Sequence, residues 1–404
     1  MTAVTEPAGG TRRDRFTISL YLLLAGVAIL HSGLGALLPY MRHDLRMSHV
    51  VESVHLSAMA VGGLVASVLA GPVRRKLGRG RLLLCAGLLV AAGGVGFAVA
   101  TTPTISVASA FLVGLGGSVC LISGQAALVG LHGPRSARMI IELNLAYSLG
   151  AALGTAALPL VAGSGLGWRG FGGLHAVLLC LVVVPLMLGT ARSADPPAVP
   201  PRRAASGVRR GRPAFGVVAA ALSVAVEWSF ALWVATYLHD VVGLDRAQAS
   251  WGTSLMLTGV IAGRAAGSRM VARVAPQHVL TGSLLTCGLA FGLLNASHST
   301  TAVVGAAAVA GLGIANLYPA AVAMVIGGDP SRADTAMARC SLATSTSLMI
   351  SPVLLGWLAD SVGLARAFTV VPVFVVGALA AIRLAGGPRP AARSSMPSGR
   401  AGVG

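Results

Sequence analysis

Glu227, His31, Glu142 and Arg264 are ionisable side chains standing inside long apolar stretches of this 404-residue chain. Glu227 lies near the middle of one, in Val226-Glu227-Trp228-Ser229. His31 lies toward the far end of another, Glu142 about a turn into a third, and Arg264 about a turn and a half from the end of a fourth. An ionised group at the centre of an apolar helix costs about 2.5–3.5 kcal/mol on insertion scales, so each needs a reason to be there. Either it binds a proton, a cation or a polar solute, or a neighbour satisfies it permanently. Glu227 is the first candidate for proton or cation binding, with Trp228 beside it, and His31 is a candidate modulator of its charge. Uncharged polar residues supply further candidates for orienting a solute, namely Gln125, Asn144, Tyr147, Trp251, Asn316 and Tyr318. Asn316 and Tyr318 stand out because Pro319 frees a backbone carbonyl one turn earlier. The plainer role for all of these is interhelical hydrogen bonding, worth about 0.6 kcal/mol per contact. The Thr344-Ser345-Thr346-Ser347 cluster reads as helix packing with hydroxyls bonded back to the backbone.

Enzymatic chemistry has no foothold in the pattern. The only lysine, Lys76, precedes Leu77, so no GxxxxGK[ST] phosphate loop can be built. HExxH, GxSxG and CxxC are absent. Cys85, Cys120, Cys180, Cys287 and Cys340 sit singly in apolar runs and read as packing thiols. Neither a metal nor any other cofactor is expected, and the protein is not expected to be an enzyme.

The elements that must hold these residues follow from composition. With 55% hydrophobic residues, 10% charged residues and a mean hydropathy of +0.80, the chain is expected to be an all-α integral membrane protein. Windows of about 20 apolar residues give twelve spans, at 16–39, 52–71, 81–101, 104–131, 139–161, 170–190, 214–238, 250–269, 278–296, 301–326, 337–359 and 366–386. The Arg- and Pro-rich stretch 191–213 reads as a solvated linker between a first six-helix bundle, 16–190, and a second, 214–386. Residues 1–15 and 387–404 read as polar tails. The run Arg12-Arg13-Asp14-Arg15-Phe16 loosely resembles a twin-arginine export signal, but the apolar segment behind it is too long for one.

The net charge of +18 belongs to topology and not to nucleic-acid binding. Of 30 Lys and Arg residues, Arg42, Arg46, Arg169, Arg246 and Arg366 fall on one side and Arg264 inside a span, while the others fall on the side of the tails and the linker. This asymmetry predicts cytoplasmic N- and C-termini in the cell membrane. The inner arginines serve orientation, with anionic lipid headgroups as natural neighbours.

The halves also echo each other at a constant offset of 197 residues: Met59 with Met256, Gly62 with Gly259, Gly114-Leu115-Gly116 with Gly311-Leu312-Gly313, Gly130 with Gly327, Arg169 with Arg366, and Phe171 with Phe368. Six spans used twice, a long basic inward linker, and the basic stretch Gly71-Pro72-Val73-Arg74-Arg75-Lys76-Leu77-Gly78-Arg79-Gly80-Arg81 together resemble the major facilitator superfamily over essentially the whole chain. Gly167-Trp168-Arg169, Gly263-Arg264 and Ser351-Pro352 with Gly356 also look family-like. Arg75 stands where the family's loop carries an aspartate, so the gate at that corner lacks its usual carboxylate. Span 5 has Gly150 and Gly154 at small-xxx-small spacing and Thr155 where the antiporter signature has proline.

The resemblance implies two pseudo-symmetric bundles, with spans 1, 4, 7 and 10 lining a central cavity that Glu227 and His31 face. It implies a secondary transporter of a small-molecule solute working by alternating access; coupling to protons is the expectation placed on Glu227, and the protein is expected to be a monomer. Spans 5 and 8 are then expected to touch across the halves, where Glu142 and Arg264 can pair as an inner gate or pair separately within their own halves. Two other classes stay open. One is a non-transporting membrane sensor, and the other is a gradient-driven uniporter without proton coupling.

Overall fold

A computed structural model describes residues 14–132, 136–183, 213–270, 273–296, 299–326 and 333–385, together with 185 and 189. Nearly all of the expected N-terminal tail and linker, and the whole of the expected C-terminal tail, lie outside the described residues, as does Gly327 of the repeat. Among the described residues every regular element is helical, and ten helices are long and apolar enough to cross a membrane. Span 1 is a pair, α1 (Arg15–His31) and α2 (Leu34–Asp44). Spans 2 to 5 are α3 (His49–Leu77), α4 (Arg79–Ala98), α5 (Pro103–His132) and α6 (Ser136–Gly163). Span 6 begins as α7 (Gly167–Leu178) and continues in a π-helical turn.

The second half repeats this plan. Spans 7, 8 and 9 are α8 (Pro213–Asp240), α9 (Arg246–Met270) and α10 (Pro276–Ala296). Span 10 is the pair α11 (Thr300–Ile314) and α12 (Leu317–Ile326), and span 11 is α13 (Ala333–Val362). Span 12 is α14 (Leu364–Ala367) followed by α15 (Val370–Ala385). Spans 6 and 8 are the two that fall outside the set of ten. Span 8 is polar for a lipid-facing helix, carrying Gln248, Ser250, Thr253, Ser254, Thr258 and Arg264, because much of it faces the other half.

Two differences from the sequence expectation matter for the site. The basic stretch after span 2 is not an extended loop. Helix α3 continues to Leu77, and Arg74, Arg75 and Lys76 form its last turn, where positive charge complements the carbonyl end of the helix dipole. Gly78 alone makes the turn at φ 75°, a conformation that disfavours any side chain. The second difference is that spans 1 and 10 are each broken in mid-membrane, at Ser32-Gly33 and at Ala315-Asn316. Pro319 accounts for the latter, since its ring displaces the carbonyl four residues earlier and it donates no hydrogen bond. Broken helices are tolerated at this depth only where protein or a cavity surrounds them.

The 197-residue repeat is visible as packing. A side chain at Gly114 would strike the Met59 carbonyl, and one at Gly311 would strike the Met256 carbonyl. Gly62 lies against the Phe111 carbonyl as Gly259 lies against that of Ala308, and Gly116 meets Ala86 and Val90 as Gly313 meets Ser283 and Cys287. Span 2 therefore crosses span 4, and span 4 crosses span 3, as 8 crosses 10 and 10 crosses 9. Gly150 and Gly154 seat span 5 on Ala25 and Ile29 of span 1. Between the halves, span 2 packs on span 11, span 5 on span 8, and α2 on span 7.

The end of the bundle that carries Arg42 and the end that carries Arg75 differ. One continuous core joins Leu34, Leu37, Leu38 and Met41 of the first half to Phe230, Trp233, Val234 and Tyr237 of the second at the Arg42 end. Toward the Arg75 end the first half packs as its own cluster around Phe16, Leu20, Leu24, Leu83 and Leu128. Large apolar side chains such as Val68, Leu153, Leu181, Leu285, Leu342 and Val373 are exposed on the outside of the bundle, a surface suited to lipid.

Candidate functional site

The broken span 1 and the unbroken span 7 form facing walls of a cavity of about 260 Å³ between the halves, completed by spans 2, 4, 5, 8 and 10. Its polar lining is His31, Ser32, Asn144, Tyr147, Ser148, Glu227, Trp228 and Arg264, and Leu56, Met59, Met256, Val260 and Ile314 supply apolar wall. On one side the Tyr147 hydroxyl lies 2.8 Å from His31 Nδ1 and accepts from Ser32 Oγ at 3.0 Å. The break at Ser32-Gly33 is what turns these groups inward. Opposite them stand an acid, Glu227, and a base, Arg264. Arg264 donates from Nη1 to Ser148 Oγ at 3.1 Å, reaching from the second half to the first. Glu227 lies in electrostatic range of Arg264, yet among the described residues its carboxylate has no hydrogen bond or ion pair.

The sequence-derived candidates divide. His31, Glu227, Trp228 and Arg264 share this cavity, with Asn144 and Tyr147. Asn316 does not line it; its amide donates to the Gly263 carbonyl at 2.8 Å and packs on Gly267, holding the broken span 10 to span 8. Tyr318, 38% exposed, and the half-buried Gln125 are also outside the lining. Glu142 and Arg264 are not paired. Glu142 accepts from Arg138 Nε at 3.2 Å and from the Tyr21 hydroxyl at 3.1 Å, both within the first half. Arg75 is exposed in the last turn of α3 and makes no ion pair among the described residues.

A second constellation, at the Arg42 end, escaped the sequence reading. Glu52 is fully buried and ion-paired to Arg42 Nε at 3.3 Å, lies 3.2 Å from His49 Nδ1, and accepts from Thr236 Oγ1 of the other half at 2.6 Å. Arg42 also pairs with Asp240, again across the halves. Asp360 at the end of span 11 accepts from the backbone N–H groups of His49 and Val50, both at 2.9 Å, so a carboxylate of one half caps the first turn of span 2 in the other. Ser250 and Ser254 of span 8 donate to the Thr155 and Ala152 carbonyls of span 5 at 2.9 and 2.8 Å. Glu52 sits at the edge of its apolar run, where an acid looks solvated, and only the partner half buries it. Intramembrane His55 and His175 were also passed over. His55 bonds to Ser106 Oγ at 2.8 Å and His175 to the Gly26 carbonyl at 2.8 Å, both in structural roles.

A family model described as Major Facilitator Superfamily matches residues 20–262 and 217–402. No curated protein matches the chain by sequence. In fold it is similar to a bacterial homolog of the human lysosomal transporter Spinster in an inward-facing and occupied conformation (TM-score 0.72, 15% identity, 94% of this chain and 98% of that one). It is similar to the nucleoside transporter NupG in a mutant form (TM-score 0.74, 15% identity, 91% and 98%). It is also similar to the peptide transporter POT in complex with sulfate (TM-score 0.72, 16% identity, 94% and 96%). With a polar cavity between two repeated six-helix bundles, and a family match that runs through both of them, the chain belongs to the Major Facilitator Superfamily.

Proposed function

We propose that this superfamily transporter moves a small organic solute across the cell membrane by alternating access, with Glu227 as the group that takes up and releases the coupling proton. The observation that carries the reading is the unpartnered Glu227 carboxylate in a cavity shared by both halves. A structural carboxylate at this depth would have a fixed partner, because an uncompensated charge there is costly. The groups around it are His31 on span 1, Tyr147 on span 5, Arg264 on span 8, Cys287 on span 9 and Tyr318 on span 10. A lumen of about 260 Å³ favours a solute smaller than the drug-sized ligands that fill larger pockets. Each half supplies part of the lining, so one copy of the chain holds a complete pathway.

The arginine asymmetry makes the Arg42 end the outer one. The joined core and the Arg42–Glu52–Asp240 network there, against the separate packing at the Arg75 end, then describe a state closed outside and opening inward. Closing the inner end would bring Glu142 and Arg264 together as the reciprocal latch. A polar cavity between the halves fits a transporter better than a sensor, whose centre needs no lumen. The test is solute uptake into proteoliposomes with and without an imposed pH gradient. Wild-type uptake should rise with the gradient. Glu227→Gln should lose that rise, and an unchanged response to the gradient in this variant would remove Glu227 from coupling and leave a uniporter.

A further inference from the structure

An acid, Glu227, and a base, Arg264, face one lumen and do not pair with each other. Counting about 1.5 Å per residue from the Arg42-end termini of α8 and α9, the Arg264 backbone lies roughly 7–8 Å deeper than that of Glu227, a gap an arginine side chain spans. They are on adjacent helices of the same half, so nothing in the topology keeps them apart. Arg264 is exposed and Glu227 half-buried in the same lining, so an acid and a guanidinium are both open to a solute between them. The other walls fit the same occupant. Met59, Leu56, Met256, Val260 and Ile314 offer apolar contact, and Tyr147 and Asn144 offer neutral hydrogen bonds.

We infer that the solute is a small zwitterion, its ammonium held by Glu227 and its carboxylate by Arg264, with a short apolar body against the methionine and aliphatic wall. This rests on the transport reading above and names the solute class for the same cavity. A guanidinium presents its donors as a planar fork matched to a carboxylate, and among the described residues only one of Arg264's nitrogens is engaged, by Ser148. Glu227, acceptor-only when ionised, matches the ammonium. A solute bearing one charge would leave the opposite protein charge unpaired in the lumen, so discrimination against cations and anions of the same size follows from the site itself. When the carboxylate of Glu227 takes the proton, it loses its hold on the ammonium, so proton and solute compete for one group.

The experiment uses the purified full-length chain and four probes of graded charge separation: leucine, 4-aminobutyrate, 6-aminohexanoate and alanyl-alanine. Each is paired with its C-terminal amide, which keeps only the positive charge, and with its N-acetyl form, which keeps only the negative. Binding is read as the rise in melting temperature in detergent. At least one free zwitterion should bind ten-fold or more tightly than both of its singly charged forms. Glu227→Gln should shift preference toward the N-acetyl form and Arg264→Gln toward the amide. The inference is overturned if amides or N-acetyl forms bind as well as the parents in the wild type, or if none of the four zwitterions binds. The wild-type comparison stands even if either variant fails to fold. Proteoliposome counterflow with the bound zwitterion separates the two claims: binding without movement defeats the transport reading alone, and movement of a singly charged probe in preference to its parent defeats the zwitterion alone.

Discussion

At the scale of single residues, charge inside this protein is either locked or left free, and the difference sorts structure from function. Glu52 is as deeply buried as any acid in the described chain, yet three groups hold it, Arg42, His49 and Thr236. Glu227 is held by nothing comparable. Replacing Arg42 with alanine removes a charge that touches both Glu52 and Asp240 and leaves Glu52 buried with less compensation, a loss in the range of about 3–5 kcal/mol for a buried pair. Because one of those contacts crosses the halves, the loss falls chiefly on the state in which this end is closed. A cysteine introduced at Ser53, buried beside Gly356 of the other half, reports it. Arg42→Ala should speed maleimide labelling at that position ten-fold or more, and equal rates with and without Arg42 would show that the network does not hold the end shut. Glu227 and Arg264 could be picked out from the sequence because a charge in mid-span is conspicuous there. Glu52 could not, because its burial is supplied by residues 184 and more positions away.

At the scale of helices, the glycines decide how closely the spans approach. Gly114 and Gly311 occupy equivalent crossings, each against a methionine carbonyl, with no room for a methyl group. Gly305 has nothing near its missing side chain although it too sits in a span. Gly114→Ala and Gly311→Ala should therefore each lower the melting temperature, by a destabilisation of about 1–3 kcal/mol as helices are pushed apart. Gly305→Ala should be neutral or raise it, by up to about 1 kcal/mol from helix propensity. Thermal unfolding in detergent distinguishes the three, and a Gly114→Ala protein as stable as Gly305→Ala would refute the close crossing. The helix breaks follow a related logic. Pro319 announces the break in span 10, whereas the break at Ser32-Gly33 carries no proline and becomes evident only in the fold. That break brings His31 and Ser32 to Tyr147.

At the scale of the whole molecule, two halves of like construction meet firmly at one end and less so at the other. The cross-half contacts at the Arg42 end use Asp240, Asp360, Thr236, Ser250 and Ser254 from the second half, so they can be made and broken as a set. Moving the bundle from one closed end to the other takes about 5.5 kcal/mol of differential interaction for a full reversal of populations, the scale of a few such ionic contacts. In the opposite state Glu142 and Arg264 are expected to meet. With Arg264 left intact for the solute, Glu142→Gln should remove the latch and shift the population toward the state closed at the Arg42 end, read as slower maleimide labelling of the cysteine at Ser53. An unchanged labelling rate would count against the latch.

Twelve apolar periods, the inward bias of arginine and the 197-residue echo are properties of the chain read one residue at a time, since hydropathy and charge act on each segment as it enters the membrane. They determined the number of spans, the two-bundle plan and the presence of an acid where an acid is expensive. Which charges are neighbours depends on contacts between segments hundreds of residues apart, and no local property of a segment encodes its partner. Tertiary packing therefore decided that Asn316 braces span 10 to span 8 while Tyr147 faces the lumen, that Glu142 bonds within its own half, and that the buried acid at position 52 belongs to the seam between the halves.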